Sequence, residues 1–193
     1  MPVRLVVLAS GSGTTLQAVL DAVESGVIDA RIVAAGTDRP GCLAMKRAAD
    51  AGIETFAEAL ADHPDRSAWN TALHGRLAAY RPDLVVLAGF MRVIAPATVE
   101  QFAMVNTHPS LLPAFPGAHA LTDALRYGVK ITGVTVHRVD AGLDSGPILA
   151  QAAVGVLPGD TEDSLRARVQ EAEKPLFIDT IRQLCISIEE SHA

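Results

Sequence analysis

The sequence predicts an α/β fold: a Rossmann-like, three-layer fold with a central, mostly parallel twisted sheet, helices on both faces and a mixed C-terminal part. Three observations carry this. Short Val- and Leu-rich runs alternate with segments of helical periodicity through the first half of the chain, the pattern of a parallel sheet with crossover helices. Several runs are apolar throughout, as strands buried on both faces are. A glycine-rich turn follows the first run at once, where a strand–helix unit presents a helix N-terminus. The 193 residues are expected to form a single domain, 1–193, with 49% hydrophobic content to fill its core.

Taken in order, Val3–Leu8 is the first strand. Ala9-Ser10-Gly11-Ser12-Gly13-Thr14-Thr15 is the turn, and Leu16, Val19, Leu20 and Val23 recur at helical spacing behind it, with Thr14 or Thr15 as N-cap. A second strand is expected over 30–35 and a third over 53–56, with a helix between them after Pro40-Gly41. Asp65 reads as the N-cap of a helix whose apolar face is Trp69, Leu73, Leu77 and Tyr80. Residues 84–88 are the most hydrophobic run and read as the centre of the sheet. A short helix opens at Pro96, a buried strand ends near Val105, and another short helix covers 120–127. Strands over 131–139 and 148–156 flank a loop at 140–147. Asp160 is expected to cap the final helix, and Pro175 to kink or split it.

The composition narrows the function. A net charge of −6 argues against a nucleic-acid partner. No apolar run reaches the length of a membrane span, and no signal peptide opens the chain, so the sequence reads as cytoplasmic. Cys42 and Cys185 are far apart and read as small hydrophobes. The glycine turn lacks a dinucleotide fingerprint, because Leu16 stands where the third glycine belongs. It is not a P-loop either, since no Gly-Lys-Ser/Thr follows. Asp38, placed like a ribose-binding acid, is therefore set aside. The turn can still offer backbone N–H groups and a helix N-terminus to a small phosphate at Gly13, Thr14 and Thr15.

The sharpest chemical signal is Asn106-Thr107-His108-Pro109, where a strand gives way to a loop. Side chains two apart on a strand face the same way, so Asn106 and His108 can share one cleft. His108, His119 and His137 with Asp144 raise the possibility of zinc. No histidine pair has tight metal-ligand spacing and no cysteine assists, so no metal is expected. Ser110 has no nucleophile-elbow context. The remaining reading is acid–base chemistry: a histidine oriented by a carboxylate, beside an amide that can donate to a developing oxyanion.

With Asp144 in Leu143-Asp144-Ser145-Gly146-Pro147, the stretch Asn106-x-His108-Pro109-Ser110-Leu111-Leu112-Pro113 resembles the signature of the 10-formyltetrahydrofolate-dependent formyltransferases. Ser10-Gly11-Ser12-Gly13-Thr14-Thr15-Leu16-Gln17, Ala88-Gly89-Phe90-Met91-Arg92 and Phe115-Pro116-Gly117-x-His119 are similar to the branch acting in purine biosynthesis, the GAR transformylase family. The resemblance implies formyl transfer from 10-formyltetrahydrofolate to the amine of phosphoribosylglycinamide, with both small molecules as substrates. It implies Asn106, His108 and Asp144 as catalytic residues. Gly13, Thr14, Thr15, Gln170 and Glu173 would hold phosphoribosylglycinamide. Arg66, Phe90, Met91, Arg92, Val93, Val139 and Asp140 would lie against the folate, with His119 and His137 supporting. The stretch 111–121 reads as a lid, and a homodimer is left open. The family often has Asn at Thr15 and a basic residue at Ala114. A deformylase, which passes formyl to water, is the alternative. It usually carries an N-terminal regulatory domain, for which a first strand at residue 3 leaves no room, and methionyl-tRNA formyltransferase would need a further C-terminal domain.

Overall fold

The computed structural model describes residues 2–192. Seven strands form one sheet: β1 (Val3–Leu8), β2 (Ala30–Thr37), β3 (Thr55–Ala57), β4 (Leu84–Leu87), β5 (Met104–His108), β6 (Ile131–Arg138) and β7 (Ile148–Gly155). Their order is β3-β2-β1-β4-β5-β6-β7. β3 through β5 are parallel; β6 is antiparallel to β5, and β7 to β6. This is the mostly parallel sheet with a mixed C-terminal part that the sequence predicts. β4, buried at every residue, is its middle strand.

Among the described residues six α-helices cover the sheet: α1 (Thr14–Glu24), α2 (Leu43–Asp50), α3 (Arg66–Tyr80), α4 (Pro96–Gln101), α5 (Ala120–Tyr127) and α6 (Glu162–His192). β1 shows how the layers form. Its Leu5 and Val7 join a core with Leu16 and Val19 of α1, Ala44 of α2 and Phe177 and Ile181 of α6. Val6 and Leu8, pointing the other way, join Trp69, Leu73 and Leu77 of α3. Asp65 caps α3 as predicted, its carboxylate accepting from the Ala68 N–H at 2.8 Å.

Chain order reverses between β1 and β4. Loops leaving the two C-terminal strand ends diverge there and open a crevice. The loop after β1 is the glycine turn, and the loop after β4 spans 88–95.

Three expectations are corrected. The N-cap of α1 is Gly13, at φ 73°, and neither threonine caps it. A Cβ on Gly13 would sit 2.6 Å from Ala44 Cα, so the tight α1–α2 approach demands glycine here. The final helix starts at Glu162, and Thr161 precedes it, its hydroxyl accepting from the Ser164 N–H at 3.2 Å. Asp160 instead binds Arg168 and the Leu157 N–H, and the Arg168 hydrogen bonds above all hold its carboxyl well below the usual carboxylate range. Finally, α6 runs unbroken through Pro175. Leu165 and Val169 before the proline and Phe177 and Ile181 after it are all buried. At about 1.5–3 kcal/mol per buried side chain, that packing outweighs the roughly 3 kcal/mol cost of an interior proline.

Both cysteines are free, and burial pushes the Cys185 thiol up to about 12, consistent with a packing role. Among the described residues, no helix is long and apolar enough to cross a membrane.

Candidate active site

Two clefts open at the crevice and share a wall. The first, about 210 Å³, is lined by the glycine turn and by α6. The second, about 310 Å³, is lined by the loop after β4, the end of β5 and the loop after β6. Gly89, Met91, Thr107, Pro109 and Arg166 border both, so ligands in the two clefts would touch. A roomier groove of about 510 Å³ lies beside α1 and β2, where none of the Asn106, His108 and Asp144 side chains reaches.

The first cleft gathers Gly13, Thr14, Thr15, Gln170 and Glu173. Gln170 and Glu173 are three apart on α6 and so share a face. The N-terminus of α1, an 11-residue helix, opens at the turn, where unpaired N–H groups and the helix dipole favour an anion. Arg47 steadies the turn, its Nε donating to the Ser12 carbonyl at 2.9 Å. The Thr15 hydroxyl donates to Glu173 Oε1 at 3.0 Å. Burial pushes the Glu173 carboxyl up, and the Thr15 hydrogen bond and the Lys174 charge oppose that only in part.

The second cleft holds the reacting group. Asn106 and His108 stand on the last turn of pleat of β5, and both line it. Asp144 reaches them from the loop after β6 in a left-handed conformation, φ 51°. Its Oδ2 lies 3.3 Å from His108 Nδ1 and accepts from the Gly117 N–H at 2.8 Å; its Oδ1 lies 3.7 Å from His137 Nε2. His108 Nε2 donates to the Phe115 carbonyl at 2.8 Å. His137 Nδ1 donates to the Arg138 carbonyl at 2.9 Å, which can only accept. With its proton on Nδ1 the ring presents Nε2 as an acceptor to the Asn106 amide, 3.2 Å away. This bond uses one of the two N–H groups of the Asn106 amide, which lines the cleft.

Two loops complete the wall. Residues 110–117 fold over the site: the Leu112 N–H donates to Thr135 Oγ1 at 3.0 Å, and Gln151 Nε2 donates to the Leu112 carbonyl at 3.0 Å. The loop after β6 is braced by Asp140, whose Oδ1 accepts from the Gly142 N–H and the Ser145 hydroxyl. Gly146 is required there, because a Cβ would meet the Arg138 carbonyl at 1.9 Å.

Most predicted positions converge on the two clefts. Phe90, Met91, Arg92, Val93, Val139 and Asp140 line the second. Arg66 does not: its guanidinium donates to the Val93 carbonyl and lies 4.5 Å over the Trp69 ring. His137 joins the reacting group, whereas His119 is exposed at the start of α5, near Glu162. Among the described residues, no group of three or more His, Cys, Asp or Glu side chains is arranged to hold a metal ion. Sequence reasoning missed Arg166, which borders both clefts from α6, and Thr107, whose buried hydroxyl has no partner in their shared wall. A period-two reading of β5 would have found Thr107, since its side chain must face away from Asn106 and His108.

Residues 3–181 match the formyl transferase family. A curated phosphoribosylglycinamide formyltransferase of Mycobacterium tuberculosis is 52% identical over 185 residues, 95% of this chain and 85% of that protein. One from Escherichia coli strain K12 is 40% identical over 176 residues, 90% and 83% of the two chains. The crystal structure of glycinamide ribonucleotide transformylase 1 from Symbiobacterium toebii superposes with a TM-score of 0.93 at 45% identity, covering 96% of this chain and 89% of that one. The chain belongs to the formyl transferase family and, within it, to the phosphoribosylglycinamide formyltransferases.

Proposed function

We propose that the chain transfers the formyl group of 10-formyltetrahydrofolate to the amine of phosphoribosylglycinamide, with Asn106, His108 and Asp144 at the reacting centre. The observation that carries this is the contact between two unlike clefts. One presents a helix N-terminus, which favours an anion, and the other holds the Asp144 carboxylate against the His108 imidazole and the Asn106 amide against His137. The amine enters from the first cleft and its lone pair attacks the formyl carbon, forming a C–N bond and an oxyanion. Asn106, held by His137 through one N–H, gives its other N–H to that oxyanion, and His108 Nε2–H leaves the Phe115 carbonyl to donate to it. Asp144 orients His108 and accepts the proton the amine loses. As the intermediate collapses, the C–N bond to the folate breaks and the departing nitrogen takes up the proton that Asp144 received from the amine, so charge and protons balance and Asp144 returns to the carboxylate. The folate lies against residues 89–93 and 139–144, and the ribose phosphate against Gly13, Thr14 and Thr15.

The test is an assay of tetrahydrofolate release from 10-formyltetrahydrofolate with and without phosphoribosylglycinamide. Amine-dependent release is expected. Release at the same rate without the amine would instead mark a deformylase.

A further inference from the structure

Among the described residues, Asp38 is the only carboxylate residue buried as a whole, 4% exposed, with its side chain at 0%. It follows β2, outside the groups assigned to either substrate. Burying a carboxylate is unfavourable unless it is paired and fully hydrogen-bonded, and an apolar side chain of the same size would fill such a position at least as well. What Asp38 adds is direction. Its Oδ2 accepts from Arg92 Nε at 2.7 Å, and its Oδ1 accepts from the Ser10 hydroxyl. The Ser10 oxygen in turn accepts from the Met91 N–H at 2.8 Å. Both arms end on adjacent residues of the loop after β4.

That loop needs holding. Phe90 and Ile94 are buried in the core, but Met91 and Val93 beside them are 66% and 60% exposed, so packing anchors the loop at two points and leaves the main chain between them to hydrogen bonds. Besides Asp38, it is gripped by the Ser10 N–H on the Gly89 carbonyl at 3.0 Å and by Arg66 on the Val93 carbonyl. Ser10 also opens the glycine turn, so one buried carboxylate ties the rim of the second cleft to the base of the first.

We propose that Asp38 is a positioning residue for the folate side: acting through Ser10 and Arg92, it fixes the main chain of 89–93 against which 10-formyltetrahydrofolate lies. This rests on the folate occupying the second cleft, as proposed above. In Asp38→Asn the oxygen still accepts from Ser10, but the Arg92 arm loses its charge. The KM for 10-formyltetrahydrofolate should rise about tenfold, the size of one lost charge-assisted hydrogen bond. The KM for phosphoribosylglycinamide should move less than about twofold on the same scale. Arg92→Gln should raise the folate KM similarly, and the double variant should be no worse than the poorer single, because both changes break one bond. If Asp38→Asn fails to fold, Ser10→Ala keeps the Arg92 ion pair and removes the Met91 arm at both its ends, the Asp38 carboxylate and the Met91 N–H. It should raise the folate KM about tenfold, as loss of a hydrogen bond to a charged group does. Parallel changes in both KM values, additive effects in the double variant, or a fall in Tm alone would overturn the proposal. If wild-type protein shows no amine-dependent transfer, the functional reading fails and takes this one with it; transfer without the KM split defeats this one alone.

Discussion

The two clefts meet along one wall but are built by different means. The anion-side cleft joins two pieces that are each local: consecutive residues of the turn leading into α1, and two positions one helical turn apart on α6, with the Thr15–Glu173 bond between them. Its geometry is carried by backbone and by a single left-handed glycine. The reacting cleft is assembled from single groups on separate segments, held by the Gly117–Asp144 and Asn106–His137 bonds, 27 and 31 residues apart, and by the His108–Asp144 contact. Failure should therefore differ in kind. Damage to the first cleft should act through backbone strain and ligand binding, and damage to the second through loss of individual donors in a fold that stays intact.

The largest expected effects test the second half of that contrast. Asn106→Ala, His108→Ala and Asp144→Ala should each lower kcat by roughly 10²–10³-fold, as removal of a preorganised donor does, with little change in Tm. Asp144→Ala removes the partner of His108, His137 and the Gly117 N–H together and should be the most severe. Near-normal turnover in Asp144→Ala, measured by steady-state kinetics, would break the comparison, because the reacting cleft would then not depend on its long bonds.

Gly13→Ala probes the first half. The added Cβ would meet Ala44 Cα at 2.6 Å, at a backbone φ of 73°. A left-handed non-glycine residue costs about 1–3 kcal/mol, so Tm should fall by several degrees. The KM for phosphoribosylglycinamide should rise while that for the folate holds. Equal damage to both constants would mean that the shared wall, not the turn, carries the strain.

The same division explains what the sequence made legible. Strands announced themselves as short apolar runs, and β4 as the most apolar. Asp65 was readable because capping is chemistry of neighbouring residues; Gly13 was readable as part of a tight turn but not as the cap of α1, since the close approach of Ala44 that demands glycine there belongs to the fold. Asn106, His108 and Asp144 were legible as residue types in a signature, but their geometry was not. That Phe115 and Gly117 place a carbonyl and an N–H on the group, or that Arg66 turns to Val93, depends on how distant segments pack. Thr15 misled for the same reason, since a hydroxyl well placed to cap α1 bonds Glu173, 158 positions away. Asp38, read locally, imitated a ribose-binding acid; only the fold brings Arg92 to it.

The smallest effect predicted sharpens the comparison most, because it should be confined to one cleft and to one pH window. Burial raises the Glu173 carboxyl above the usual 4.5. Between 4.5 and the raised value the folded chain keeps a proton that the unfolded chain has released, so stability falls as pH rises through that window and stays lower above it. Glu173→Gln removes the titration and keeps an oxygen to accept from Thr15. Wild type and variant should therefore melt together near pH 4, and the variant should melt higher at neutral pH. In a chain of this length each kcal/mol appears as about 2–4 °C in Tm. The opposite sign, with the variant less stable at neutral pH, would mean that the ionised carboxylate is the form the folded cleft prefers. Thr15 would then be a donor holding a charge in the anion-side cleft, which would make that cleft as dependent on a long side-chain bond as its neighbour.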